Sequence, residues 1–325
     1  MDCGECGTVY QNPRVRDEDL PLCYPSRYFT HDINPEGSGR PAPHDSVRGR
    51  LKRAVRRAAD GVHDGGLSLP WRVVGRLLAV HPGLRRRARL GLIDPLAPPP
   101  GRRARCLEVG PGHGFDLWCL RSLGWEAFGL EADPVAAGNA RMRSGCEVRV
   151  GTLVSTDYAP GQFDLVYLNH VAEHLPDPRA SFERCLELLG PGGRLVLVYP
   201  NPGALTARLY GRHSLVWDPP RHLVLPPLKT MTALLERCGF GGLRARTSAW
   251  RAPVNCGAAR RLSRPRRTGP VPTKGAAVDR LFWILEASLV ALRVPVGEEI
   301  VAVADKPAGS AHAAHAPERG YTSKR

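Results

Sequence analysis

ARCLEVGPGHGFDL, residues Ala104 to Leu117, begins with an apolar run (Cys106, Leu107, Val109) that carries one acid, Glu108. Three glycines follow at alternate positions, Gly110, Gly112 and Gly114, and then a segment able to be helical. This reads as a buried strand, a tight turn and a helix N-terminus. Glycine suits the turn because it accepts positive φ and lets a ligand press against bare backbone. On its own the stretch also reads as a plain Gly-Pro loop between two core elements. What lies downstream argues against that.

Helices are expected over 115–123 and 134–142, and strands over 125–130, ending at Glu131, and over 146–150. FDLVYL (163–168) and RLVLVY (194–199) read as the fourth and fifth strands. Between them a helix over 179–189 is stopped by Gly190-Pro191-Gly192-Gly193. A helix over 228–238, a strand near 243–247 and a last strand over 299–304 follow. Strands alternating with helices at this spacing predict an α/β fold, a Rossmann-like doubly wound sheet covered on both faces. Such a sheet binds nucleotides at the C-terminal edge of its strands.

The core is expected over 101–250 plus 298–307, preceded by an N-terminal segment (1–39) and a basic helical cap with linkers (40–100). Residues 251–297 read as an insertion, a basic Pro-containing stretch followed by an apolar helix over 281–292. Residues 308–325 read as a disordered tail. Residues 200–227 read as a long loop rich in aromatics, Pro and His. The net charge is +15, and it is concentrated: residues 40–105 hold 16 basic against 4 acidic side chains, and residues 251–274 hold seven basic and no acidic ones. Such segments suit nucleic-acid phosphate, nucleotide-linked substrates or anionic lipid. A solvated Arg-rich surface is the competing reading, since 41 of the 46 basic residues are Arg. No apolar run reaches the roughly 18–20 residues of a membrane span, and no leader is evident at MDCGECGTVYQ. The nine cysteines are scattered and odd in number, which argues against a disulfide framework, so a cytoplasmic protein is expected.

Cys3 and Cys6, in C-x2-C-G, have the form of half a zinc knuckle, and a tetrahedral site needs four ligands. Cys23 follows, but Ser26 stands where the fourth cysteine belongs; His31 is a substitute, or the missing pair lies upstream of Met1.

The glycine loop selects its cofactor by spacing. G-x-G-x-x-G fails, because Phe115 occupies the sixth position, and no Gly-Lys-Ser/Thr of a P-loop is present. What remains is E-x-G-x-G-x-G. An acid there suits a ligand carrying positive charge, as S-adenosylmethionine does in its ammonium and sulfonium. Glu131, 21 residues beyond Gly110, suits two ribose hydroxyls.

With LEVGPGHG, GLEADP, FDLVYLNHVAEHLPDP and LGPGGRLVLVYPNP in this order, the chain over 104–250 resembles class I S-adenosylmethionine-dependent methyltransferases. FDLVYL…EHLPDP and PPRHLVLPPLKTMTALLERCGF are similar to a small bacterial branch related to quinone-biosynthesis methyltransferases. The N-terminal C-x2-C-G followed by YPSRYFTHD is similar to a module found in that branch. The resemblance implies a seven-stranded sheet, mostly parallel, with a final antiparallel strand. It also implies cofactor contacts from Glu108, Gly110, Gly112, Gly114 and Glu131, and from Thr152, Leu153 and Asn169 after the third and fourth strands. Many relatives place an Asp after strand three; this chain has Gly151-Thr152-Leu153 instead.

Methyl transfer is an in-line displacement that needs alignment and exclusion of water, and an oxygen acceptor also needs a base. His170, His174 and His222 are the candidates; the competing reading of Glu173-His174 is a turn fixed by hydrogen bonds. H-x-x-E-H over 170–174 also spells an inverted zinc-protease pattern, but a strand rather than a long helix leads into it. Some similar quinone O-methyltransferases hold a divalent metal with Glu-x-x-Glu-His, which would map onto His170, Glu173 and His174. The expectation is methyl transfer, at oxygen, to a small or carrier-linked acceptor. The alternatives are an RNA or DNA methyltransferase using the basic flanks, for which NHVA replaces the N/D-P-P-Y/F signature, and a cofactor-binding protein without turnover. Contact with a membrane surface stays open.

Overall fold

The computed structural model describes residues 1–24, 50, 51, 54, 55, 58, 68–79, 96, 98, 99, 103–263 and 277–309. The expected linker over 37–43, most of the basic helix over 47–59, His31, much of the basic stretch over 251–274 and nearly all of the tail lie outside the described residues. The strands are β1 (Val9–Tyr10), β2 (Arg105–Val109), β3 (Glu126–Glu131), β4 (Glu147–Val150), β5 (Phe163–Asn169), β6 (Leu189–Pro200), β7 (Val224–Leu225), β8 (Gly241–Ser248) and β9 (Glu299–Asp305). The α-helices are α1 (Leu69–Ala79), α2 (Phe115–Ser122), α3 (Pro134–Ser144), α4 (Pro178–Leu188), α5 (Leu205–Tyr210), α6 (Leu228–Arg237), α7 (Ala252–Leu262) and α8 (Ala277–Ala291).

Seven strands form one sheet in the order β4-β3-β2-β5-β6-β9-β8, and β9 is antiparallel to both of its neighbours. Alternation along each strand feeds two cores. Leu107, Val109, Leu130, Val166, Leu168, Leu195 and Leu197 belong to one cluster. Cys106, Ala127, Leu165, Tyr167, Val196 and Val198 belong to the other, with Leu117 and Leu120 of α2 and Ala137 and Ala140 of α3. Burial on both faces is what a parallel sheet flanked by helices requires. Glu108 and Glu131 share the strand parity of the α2/α3 face, and this register places two acids beneath the glycine loop.

Helix ends follow local chemistry. Asp133 caps α3 by accepting from the Ala136 N–H (2.7 Å), and Asp177 caps α4 by accepting from the Ala180 N–H (3.0 Å). Each is followed by proline at the first helical position, where the missing N–H costs nothing.

Four segments differ from the sequence reading. The Gly190–Gly193 stretch, expected as a loop, is already part of β6, because Leu189 pairs with Phe163 before a register shift and resumed pairing at Arg194. The stretch over 200–227 is not a plain loop: it contains α5 and β7. β7 pairs antiparallel with β1, so the N-terminal residues are docked beside the sheet; the Gln11 N–H donates to Leu223 O, and Thr230 Oγ1 to Cys6 O. The insertion opens with α7, a helix hidden by its Arg, Gly and Pro content. Its apolar helix starts at Ala277, earlier than expected. Among the described residues no helix is long and apolar enough to cross a membrane.

A buried polar knot ties α5, α7 and α8 to the end of β6 and the start of β9. Glu298 accepts from Thr206 Oγ1 (2.7 Å) and Asn255 Nδ2 (2.8 Å), and its own N–H donates to Glu286 Oε1 (3.0 Å). Burial, and then the charge of Glu298, raise the Glu286 carboxyl to about 9. A carboxyl held neutral in the fold but ionised in the unfolded chain favours the fold below about pH 4.5, and that contribution is lost as pH rises toward 9. Glu286→Gln is therefore expected to gain on the order of 2 kcal/mol at pH 7.5 and to flatten this part of the pH profile. Urea unfolding at pH 5 and 7.5 checks it; a less stable variant at pH 7.5 would contradict the assignment.

Candidate active site

The turn after β2 is shaped by its glycines. Gly110, Gly112 and Gly114 have φ of +66°, +51° and +78°. A Cβ on Gly114 would stand 2.7 Å from Ala140 Cα, and one on Gly110 would stand 2.6 Å from Val171 Cγ2. The loop is therefore pressed against α3 on one side and against the segment after β5 on the other. Glu131 at the end of β3 holds the turn: Oε2 accepts from the Gly112 N–H (2.9 Å) and Oε1 from the Asp133 N–H (3.1 Å).

Three acids meet under this turn. Glu108 is 3% exposed, and its Oε2 has no hydrogen-bond partner. Burial, and then the charges of Asp116 and Glu131, push its carboxyl well above the usual range. Asp116, in the first turn of α2, accepts from Asn169 Nδ2 (2.7 Å), and burial raises it as well. A buried acidic cradle with an orphaned carboxylate oxygen fits a cationic ligand, and so fits the ammonium and sulfonium of S-adenosylmethionine. Glu108, Gly110, Gly112, Gly114, Glu131 and Asn169 are thus brought together. Asp116 was missed: in sequence it passes for an ordinary acid complementing a helix N-terminus.

The loop after β4 departs from the expectation for it. Leu153 is buried in the core cluster and does not face outward, and the Thr152 N–H is already donated to Ser155 Oγ (2.9 Å). The turn is closed by its own hydrogen bonds, Thr152 Oγ1 to Ser155 Oγ (3.1 Å) and the Ser155 N–H to Thr152 O (3.2 Å) among them.

The second part of the site follows β5. His170 has φ of +55°, with its N–H donated to Val198 O (2.7 Å). Its Nδ1 lies 3.2 Å from Glu173 Oε1 and its Nε2 lies 3.0 Å from Glu299 Oε1. Burial opposes its charge, but the two carboxylate hydrogen bonds outweigh burial and raise it to about 9. With both nitrogens donating, His170 is an imidazolium without a lone pair. As placed, both ring nitrogens are engaged by carboxylates, unlike the free base that the sequence leads one to expect at His170.

His174 and His222 are arranged differently. Each Nδ1–H donates to a backbone carbonyl, His174 to Arg221 O (2.8 Å) and His222 to Val216 O (2.7 Å). Their Nε2 atoms face Glu173 Oε1 at 4.0 and 3.9 Å. Burial lowers the His222 pKa despite the Glu173 charge. Glu173 itself is fully buried; burial would raise its pKa, but the His170 bond and the neighbouring histidine charges bring it to about 2.

At the N-terminus, Cys3 and Cys6 sit on a hairpin turn closed by Cys3 N–H to Thr8 O (2.9 Å) and Gly7 N–H to Cys3 O (2.8 Å). Cys6 Sγ donates to Thr8 Oγ1 (3.2 Å). Among the described residues no third ligand joins them, Cys23 included.

Residues 83–244 match the family model described as a methyltransferase domain. The match runs from before β2 into β8 and covers just under half of the chain. The chain is 34% identical over 116 residues to a ubiquinone biosynthesis O-methyltransferase of Xanthomonas euvesicatoria, covering 33% of this chain and 48% of that protein. It is 40% identical over 103 residues to an uncharacterized methyltransferase of a Mycobacterium species (strain KMS), covering 31% of this chain and 40% of that one. The chain thus spans about half the length, or less, of these relatives. A solved S-adenosylmethionine-dependent methyltransferase of Archaeoglobus fulgidus is similar at 17% identity and TM-score 0.43, over 63% of this chain and 86% of that one.

Proposed function

We propose that this protein transfers a methyl group from S-adenosylmethionine to an oxygen of a small or carrier-linked acceptor. The observation that carries the reading is the juxtaposition at Val171. That residue packs on Gly110 of the acidic cradle and lies in the segment that ends in Glu173 and His174. The name of the Xanthomonas relative supports oxygen as the atom methylated. When bound, S-adenosylmethionine supplies an electrophilic methyl group on a sulfonium.

The chain's own residues then have distinct roles. Glu131 holds the ribose side of the cradle, and Glu108 and Asp116 neutralise the ligand's cationic end. His174 Nε2 and His222 Nε2 are the groups able to take the acceptor's proton as the oxygen attacks. Glu173 stabilises the resulting imidazolium. His170, locked between two carboxylates, fixes the turn that carries them.

His174→Gln is expected to lower kcat by about a hundredfold or more while leaving cofactor affinity within a factor of about three. Incubation with labelled cofactor and cell extract tests the function itself. Label in a small-molecule fraction is expected; label in RNA or DNA, with steeply salt-dependent binding, would overturn the acceptor class.

A further inference from the structure

We propose that the outward face of α8, flanked by Arg280 and Arg293, docks on the surface of a membrane rich in anionic lipid. The helix is amphipathic in the reverse sense for one packed on a protein. Its buried residues are two acids, Asp279 and Glu286. Asp279 pairs with Arg260 of α7 (3.2 Å), and Glu286 Oε1 accepts the Glu298 N–H (3.0 Å), so polar contacts fasten the inward face. Leu281, Ile284 and Leu285 are each more than half exposed, as is Leu292 just past the helix end, and Val278 is half exposed. At 3.6 residues per turn, Val278, Leu281, Ile284 and Leu285 share an arc of about 120°, roughly opposite Asp279 and Glu286. A helix whose leucines face water while its acids face the protein has its apolar partner outside the chain.

Charge names that partner. Asp279 and Glu286 are the only acids from Ala277 to Leu292, and both are buried, so the outward side carries no negative charge. Arg280 and Arg293 are exposed, one near each end of the helix. The sequence that runs into α8, from 251 to 274, holds seven basic residues and no acidic one. A second copy meeting this face would bring two such basic sets together. Nucleic acid would satisfy the arginines and leave the leucines in water. Anionic lipid offers an apolar layer to the leucines and negative headgroups to the arginines.

The helix has the dimensions for lying in the interface. Its 15 residues span about 22 Å, too short to cross the hydrocarbon layer. It is anchored at the sheet edge that carries the site: Glu286 holds the Glu298 N–H, and the next residue, Glu299, contacts His170 Nε2 (3.0 Å).

The test floats full-length protein with vesicles of phosphatidylcholine alone, or with about one-third phosphatidylglycerol. Binding to the anionic vesicles is expected to be at least about tenfold tighter, and to weaken as salt is raised from about 0.1 to 0.5 M. Leu281→Glu with Leu285→Glu should reduce it about twentyfold or more, and Arg280→Glu about fivefold or more. All three side chains are exposed and lie outside the cofactor cradle, so both variants should keep the parent's thermal midpoint and S-adenosylmethionine affinity. If the double variant does not fold, Leu281→Ser takes its place, with a loss of about threefold or more expected. No binding of the parent to anionic vesicles, equal binding to both vesicle types, or unchanged binding in a folded leucine variant would each overturn the proposal. A dimer of the parent that the leucine variants dissolve would overturn it in favour of a second copy, and RNA bound more tightly than the vesicles would overturn it in favour of nucleic acid.

Discussion

Glu131→Ala is expected to weaken S-adenosylmethionine binding by about a hundredfold, with the fold intact. The carboxylate does two things at once. It fixes the glycine turn through the Gly112 and Asp133 N–H groups, at 2.9 and 3.1 Å, and each of its oxygens keeps acceptor capacity for a ligand hydroxyl. A hydrogen bond to a charged group contributes about 1.5–3 kcal/mol, so losing two ligand contacts and leaving the Gly112 amide unheld reaches two orders of magnitude in affinity. Titration calorimetry on the variant measures this directly. Glu131→Gln, which keeps the shape and removes the charge, should fall between the two. Unchanged affinity in the alanine variant would place the ribose elsewhere.

Glu173→Ala is expected to destabilise the protein by about 3–5 kcal/mol, the cost of breaking a buried ion pair by removing one partner. His170 would keep only Glu299, which it shares with Arg251 (3.2 Å), and the turn carrying His174 would lose its anchor. The thermal midpoint should fall by roughly 5–10 °C. Glu173→Gln, able to accept from His170 through its amide oxygen, should lose less than half of that. A fall of about 1 °C or less in the alanine variant would show that the carboxylate does not hold this turn.

Much of the sheet is legible in the sequence because its signals are local. The glycine triplet, the apolar strands and the capping Asp-Pro pairs at 133–134 and 177–178 each act within a few residues. β1 and β7 are not legible: two residues each carry no period, and their pairing joins segments more than 200 residues apart. α7 is obscured by its Arg and Gly content, although it is held by Asn255 reaching the buried Glu298.

The site divides in the same way. The glycines, Glu108 and Glu131 can be read from spacing. His170 cannot be assigned from its motif, because the partner that takes its second nitrogen, Glu299, lies on the last strand. The Asp116–Asn169 bond and the facing of His174 and His222 likewise depend on tertiary placement, and only the structure brings them together.

The central claim is that the glycine turn over Glu108, Asp116 and Glu131 holds S-adenosylmethionine. Calorimetric titration of the full-length protein with S-adenosylmethionine, NAD and ATP in parallel tests it most directly. Saturable one-to-one binding of S-adenosylmethionine alone, abolished in Gly114→Ala where the new Cβ meets the α3 backbone, is the predicted result. Absence of S-adenosylmethionine binding, or tighter binding of NAD or ATP, would contradict it.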